Sequence, residues 1–125
     1  MSRLIYKILH PNEWLEAKDT NMYDGSADDR RGGFIHFSTR KQLEGTLKKH
    51  FADKINLKLL AFQAESFAPD QLRWETSRGG AFFPHLYGSL DIGTAQQSWD
   101  LLRPASGIFD LAFIDANSRK EVTDD

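Results

Sequence analysis

Two short stretches concentrate the polar chemistry of this chain: GFIHFST, residues 33–39, and WETSRGGAFFPHLYG, residues 74–88. In the first, strand alternation places Phe34, His36 and Ser38 on one face and Ile35, Phe37 and Thr39 on the other. A histidine facing a cleft there serves as a hydrogen-bond donor or general base. Ser38 and Thr39 open the helix that follows, whose N-terminus holds anions such as phosphate. The same residues also fit a core histidine satisfied by a backbone carbonyl, with Ser38 and Thr39 as ordinary caps.

In the second stretch, Phe83, His85 and Tyr87 share a face. Such a ring-rich, titratable face stacks a planar base or a nicotinamide ring and reads its edge with polar tips. The alternative is that Phe83 and Tyr87 are core and His85 hydrogen-bonds across the hairpin. Arg78, beside Gly79 and Gly80, brings a guanidinium up to a phosphate or carboxylate, although SRGG is too short for a nucleotide fingerprint. Glu75 is the acid of this stretch, and with Arg78 it equally fits a surface ion pair of little energetic weight. Pro84 cannot donate to a ladder, which predicts an edge strand or a bulge.

Other chemistries lack an anchor. The four histidines, His10, His36, His50 and His85, form no close ligand pair, and with no cysteine the expectation is no metal. There is no G-x-S-x-G elbow and no Walker loop. The segment YDGSADDRRGG reads as a solvated loop whose acidic and arginine pairs face water, or as a lid over whatever His36 faces.

The elements that must position these groups follow from pattern. Residues 3–9 alternate as a strand, and Pro11 starts a short helix with Trp14 and Ala17 on one face. Residues 19–33 read as a long polar loop. After GFIHFS, a helix over 39–51 begins with a Thr39–Gln42 capping box. Residues 56–64, the longest apolar run, predict a central strand, and LRWET with AFFPHLYG predicts a hairpin turning on glycine. Residues 98–102 and 108–114 supply one or two last strands, and 115–125 a polar, frayed tail. The sum is one α+β domain over 1–114 with a mixed or antiparallel sheet and a few short helices.

At 125 residues and net charge -2 the chain has the size of one domain and no field that would gather nucleic acid. The cysteine-free composition fits the cytoplasm, and no apolar run approaches bilayer length.

Taken together, IYKI, Trp14, GSADDRRGGFIHFST, GTLKKHF and LRWETSRGGAFFPHLYG resemble the bacterial domain-of-unknown-function family 952 over roughly the first hundred residues. The resemblance implies an ADP-ribosyltransferase-like fold, a split sheet whose cleft holds NAD, ADP-ribose or a related phosphorylated nucleotide. By that likeness His36 lines the cleft and Lys7 takes the position that grips the ribose, with Ser38, Thr39, Arg78, Phe83 and Tyr87 around the ligand. The strand that usually presents the catalytic glutamate carries His85 and Tyr87 here, and Glu75 lies one strand earlier. The expected catalytic set is His36, His85 and Glu75, in a transferase-like enzyme or, alternatively, a non-catalytic module using the same cleft for a nucleotide or small metabolite.

Overall fold

The computed structural model describes residues 3–77 and 80–115. Among the described residues, eight strands and three α-helices, with a further helical turn over 112–115, build one small α+β domain in which every strand pairing described is antiparallel. The first sheet is β1 (Leu4–Leu9), β4 (Asn56–Gln63) and β8 (Gln97–Leu102), with the apolar β4 in the middle as its sequence predicts. The second is β3 (Ile35–His36), β6 (Phe82–Leu86) and β5 (Leu72–Thr76), and it contains the predicted β5–β6 hairpin.

Alternation along β1 sorts two cores. Ile5 and Leu9 join Leu60, Phe62, Ile35 and Leu86 between the sheets, covered by α1 (Pro11–Thr20) through Ala17. Tyr6 and Ile8 face the opposite way, onto Leu43 and Leu47 of α3 (Leu43–His50) and onto Leu59 and Leu101. Lys7 falls between Ile5 and Leu9 on the first face and is therefore buried. The helix start at Thr39 is as predicted: the Thr39 N–H donates to Gln42 Oε1 at 3.0 Å, and a single 3₁₀ turn leads into α3.

The two sheets meet at one bridge. Tyr6 of β1 and Ser38 exchange backbone hydrogen bonds of 2.8 and 2.9 Å. Pro84 explains why the chain leaves β6 to make it. The expectation of an edge strand is corrected, since β6 is the middle strand of its sheet. Pro84 accepts the Phe37 N–H at 2.9 Å and has no N–H to return, so the β3–β6 ladder stops at His36 and the chain crosses to β1.

Two further expectations are corrected. Residues 19–33 are not a continuous loop: Met22–Tyr23 forms β2 with β7 (Leu90–Asp91), and Ala27–Gly32 forms α2. Ser26 and Asp29 cap α2 reciprocally, Asp29 N to Ser26 Oγ at 3.1 Å and Ser26 N to Asp29 Oδ2 at 2.9 Å. Gly33 ends it at φ 86°, a left-handed position suited to glycine. Residues 108–114 are not a strand. Asp110 Oδ1 accepts the Ala112 N–H at 3.0 Å and starts a helical turn over 112–115, from which Phe109, Leu111 and Ile114 fill the second core one by one. Of the predicted tail, Asp115 is held by the Arg40 guanidinium at 2.7 and 3.0 Å, and 116–125 lie outside the described residues.

The sorting has a direct test. Leu60→Ala, at 0 % exposure in the inter-sheet core, is expected to cost about 2–5 kcal/mol in urea unfolding. Leu102→Ala, at 69 % exposure, is expected to stay within about 0.5 kcal/mol of the parent.

Candidate functional site

The site is organised by a residue that polar patterning assigns to the surface. Asp29, in the first turn of α2, is 2 % exposed. Its Oδ2 accepts Lys7 Nζ at 2.8 Å and the Ser26 N–H, and its Oδ1 takes the His36 backbone N–H at 3.1 Å and His36 Nδ1 at 2.7 Å. Burial by itself would raise the pKa of this carboxyl. The His36 hydrogen bond, the Lys7 charge and the Ser26 amide outweigh burial and hold it well below the usual carboxylate range. An ionised carboxylate only accepts, so His36 Nδ1 is the donor and Nε2 is left as the ring's outward nitrogen. The lysine amine is completed by the His36 carbonyl at 2.8 Å.

This network sits at a cavity of about 700 Å3 that opens beside β1, past the Tyr6–Ser38 bridge. Lys7, His36 and Ser38 line it, Ser38 Oγ lying 2.8 Å from Thr46 Oγ1. Phe51 and Phe83 give it aromatic walls, and Arg31 and Lys49 give it cationic ones. Arg31 pairs with Asp28 at the surface, whereas Lys49 is exposed and has no ion pair among the described residues. Gly32 also lines the cavity: a Cβ there would stand 3.3 Å from His36 Cε1, so glycine keeps α2 close to the imidazole.

A second carboxylate–histidine pair stands across the strands. His36 of β3 is directly opposite His85 of β6, and the ring centroids are 5.3 Å apart in an edge-on contact. His85 Nδ1 lies 2.9 Å from Glu75 Oε1, and the Tyr87 hydroxyl donates to the same oxygen at 2.6 Å. The tyrosine and the histidine hold the Glu75 carboxyl below its ordinary range, the carboxylate raises the Tyr87 phenol, and desolvation lowers the His85 pKa. Phe34 stacks on His85 at 4.0 Å and also touches His36 and Tyr87.

The expected site residues thus separate into two groups. Lys7, His36, Ser38 and Phe83 surround the cavity. Glu75, His85 and Tyr87 form their own hydrogen-bonded cluster under Phe34, and Thr39 caps a helix turn. Arg78 lies outside the described residues. Among the described residues no group of three or more metal-ligating side chains comes together, and no helix is long and apolar enough to cross a membrane. Asp29 is the residue that sequence reading missed. Its signal was the spacing Ser26-x-x-Asp29, a capping-box pattern hidden in a run that otherwise reads as solvated charge.

A family model described as a protein of unknown function, DUF952, matches residues 8–97. The chain belongs to that family. Among solved structures, this chain is similar to the crystal structure of protein CC0527 from Caulobacter crescentus, with 44 % identity, a TM-score of 0.84, and coverage of 90 % of this chain and 98 % of that one. The solution NMR structure of CC0527 is also similar, with 44 % identity, a TM-score of 0.78, and coverage of 89 % and 95 %. No match is found among curated proteins.

The Asp29 network makes a stability prediction with a defined pH dependence. Asp29→Asn strands Lys7 in a buried position without its counter-charge and is expected to cost about 3–5 kcal/mol near neutral pH. Because the folded pKa of Asp29 is depressed, its contribution is complete above the unfolded carboxylate value of about 3.9 and is lost as pH falls through the folded value. Urea unfolding from pH 7 to pH 2 should therefore show a shallower acid limb for Asp29→Asn than for the parent.

Proposed function

We propose that the cavity binds NAD, ADP-ribose or a related phosphorylated nucleotide and that the chain acts on it as a transferase-like enzyme. The observation that carries this reading is Asp29, which grips Lys7 and His36 together from a buried position and so fixes the direction of the His36 ring at the cavity. Carboxylate-oriented imidazoles of this kind accept a proton from a hydroxyl as it attacks. For NAD the step would form a bond from that hydroxyl oxygen to the ribose anomeric carbon and break the bond to nicotinamide, with the proton passing to His36 Nε2. Lys49 and Arg31 supply charge for phosphates, and Phe51 and Phe83 supply apolar surface for a ring. Two antiparallel sheets that meet at the Tyr6–Ser38 bridge support the ADP-ribosyltransferase-like split sheet.

One observation favours the non-catalytic reading. Glu75, the acid nearest the place where transferases hold their glutamate, is occupied by His85 and Tyr87 and does not line the cavity. In that case the same cleft senses a nucleotide or small metabolite without turning it over.

Thermal unfolding with NAD, ADP-ribose, AMP and inorganic phosphate separates these outcomes. A ligand at one hundred times its dissociation constant should add about 2.7 kcal/mol of stability. Lys49→Ala should reduce that gain while leaving the unliganded unfolding midpoint nearly unchanged, and His36→Ala should reduce it as well, at a cost of about 1–3 kcal/mol to the unliganded fold because it removes a donor from buried Asp29. Absence of stabilisation by all four compounds would overturn the proposal. Stabilisation by NAD with no nicotinamide released on long incubation would establish the binding module instead.

A further inference from the structure

The direction of one hydroxyl in the cavity is fixed by its neighbours. Ser38 is 4 % exposed and lines the cavity. Its backbone N–H and C=O are both taken by Tyr6, at 2.9 and 2.8 Å. That leaves Oγ, whose partner among the described residues is Thr46 Oγ1 at 2.8 Å. Two hydroxyls at this distance can share a proton either way, but a third group decides the matter. Thr46 Oγ1 also lies 3.0 Å from the Gln42 carbonyl, one turn back along the chain, and a carbonyl only accepts. The threonine has one proton, and it goes to Gln42. Ser38 must therefore donate to Thr46, and its oxygen keeps lone pairs with no proton to offer a ligand.

Thr46 and Lys49 both belong to α3 and both line the cavity. Three residues apart, they share a helix face, with Cβ atoms about 5–6 Å from each other. Lys49 is exposed, has no ion pair among the described residues and offers only donors. One wall of the cavity thus sets an acceptor that cannot donate beside a cation. A phosphate suits Lys49 and is repelled by the Ser38 lone pairs, whereas an uncharged donor suits Ser38. A hydroxyl carried within a helical turn's length of a phosphate meets both demands, and that is the chemistry of a phosphorylated sugar.

We infer that Ser38 reads a sugar hydroxyl of a phosphorylated ligand and that Thr46 is the positioning residue that sets this preference by holding the Ser38 proton. This deepens the proposed nucleotide reading by naming the part of the ligand that meets α3, and it rests on that reading for the phosphate alone. Selection is by donor. A deoxy analogue of the same charge keeps its contact with Lys49 and leaves the Ser38 oxygen desolvated without a partner.

The test is calorimetric titration of the full chain with two matched sets: AMP against its 2′-deoxy and 3′-deoxy forms, and ribose 5-phosphate against 2-deoxyribose 5-phosphate. Inorganic phosphate serves as the charge control. The hydroxylated member of at least one set is expected to bind about tenfold more tightly than its deoxy partner, a difference of about 1.4 kcal/mol. Thr46→Val keeps the shape and the Ser38 oxygen but releases the serine proton, so the ratio should fall to within about twofold while phosphate affinity stays as it was. Thr46→Ser returns the acceptor and should restore the ratio. Ser38→Ala should abolish it, and Lys49→Ala should weaken all members of a set alike and preserve it. Equal binding within both sets would overturn the inference and leave the nucleotide reading standing. A ratio that survives Thr46→Val or Ser38→Ala would overturn it as well. Discrimination between the two pentose phosphates with no binding of AMP or NAD would support the subsite and count against the nucleotide reading. No binding of any probe would remove both.

Discussion

The constraint on which the site depends is the burial of one carboxylate. Asp29 gives up nearly all contact with water, and four donors compensate it: an ammonium, an imidazole and two backbone amides. Desolvation of an ion is expensive, so such a group persists only when its surroundings are nearly complete. That completeness also gives it reach. The donors belong to β1, to the cap of α2 and to β3, which puts three separate segments of chain in register around a single pair of oxygens.

The cavity follows from the same arrangement. Among the described residues β1 is tied to β4 along one edge and bridged to Ser38 through Tyr6 on the other, and the cavity is lined by Tyr6, Lys7 and Ile8. Pro84 contributes by ending the β3–β6 ladder at His36. A residue there able to donate as well as accept could prolong that pairing and draw the chain away from β1. Lys7, pointing between the sheets from β1, neutralises Asp29, and the more exposed Lys49 and Arg31 line the cavity. The two histidines then differ in kind although their tethers match: His36 faces the cavity, and His85 is enclosed beneath Phe34.

Much of the fold was legible in the residues. The apolar run of β4, the glycine-turned hairpin, the Thr39 cap and the Pro11 helix start all work through nearest neighbours in sequence, where local sterics and hydrogen bonds decide the outcome. His36, His85, Glu75 and Tyr87 were also visible as an excess of polar groups in strands rich in Phe and Leu. The failures share a cause. Residues 19–33 look solvated because their charges are dense, and only contact with β1 and β3 turns one of those charges inward. Residues 108–114 look like a strand because they are apolar, yet an Asx turn and three single anchors into the core satisfy them without a ladder.

The sequence by itself therefore determined the α+β class, the order of the principal strands, the family likeness and the roster of titratable side chains, because each rests on composition or short-range pattern. Tertiary structure alone decided which of those side chains meet. It paired Asp29 with Lys7 and His36, and Glu75 with His85 and Tyr87, across separations of up to 22 residues. A hydrogen bond depends on the position of both partners in space, and residues this far apart acquire that position only when the sheets close.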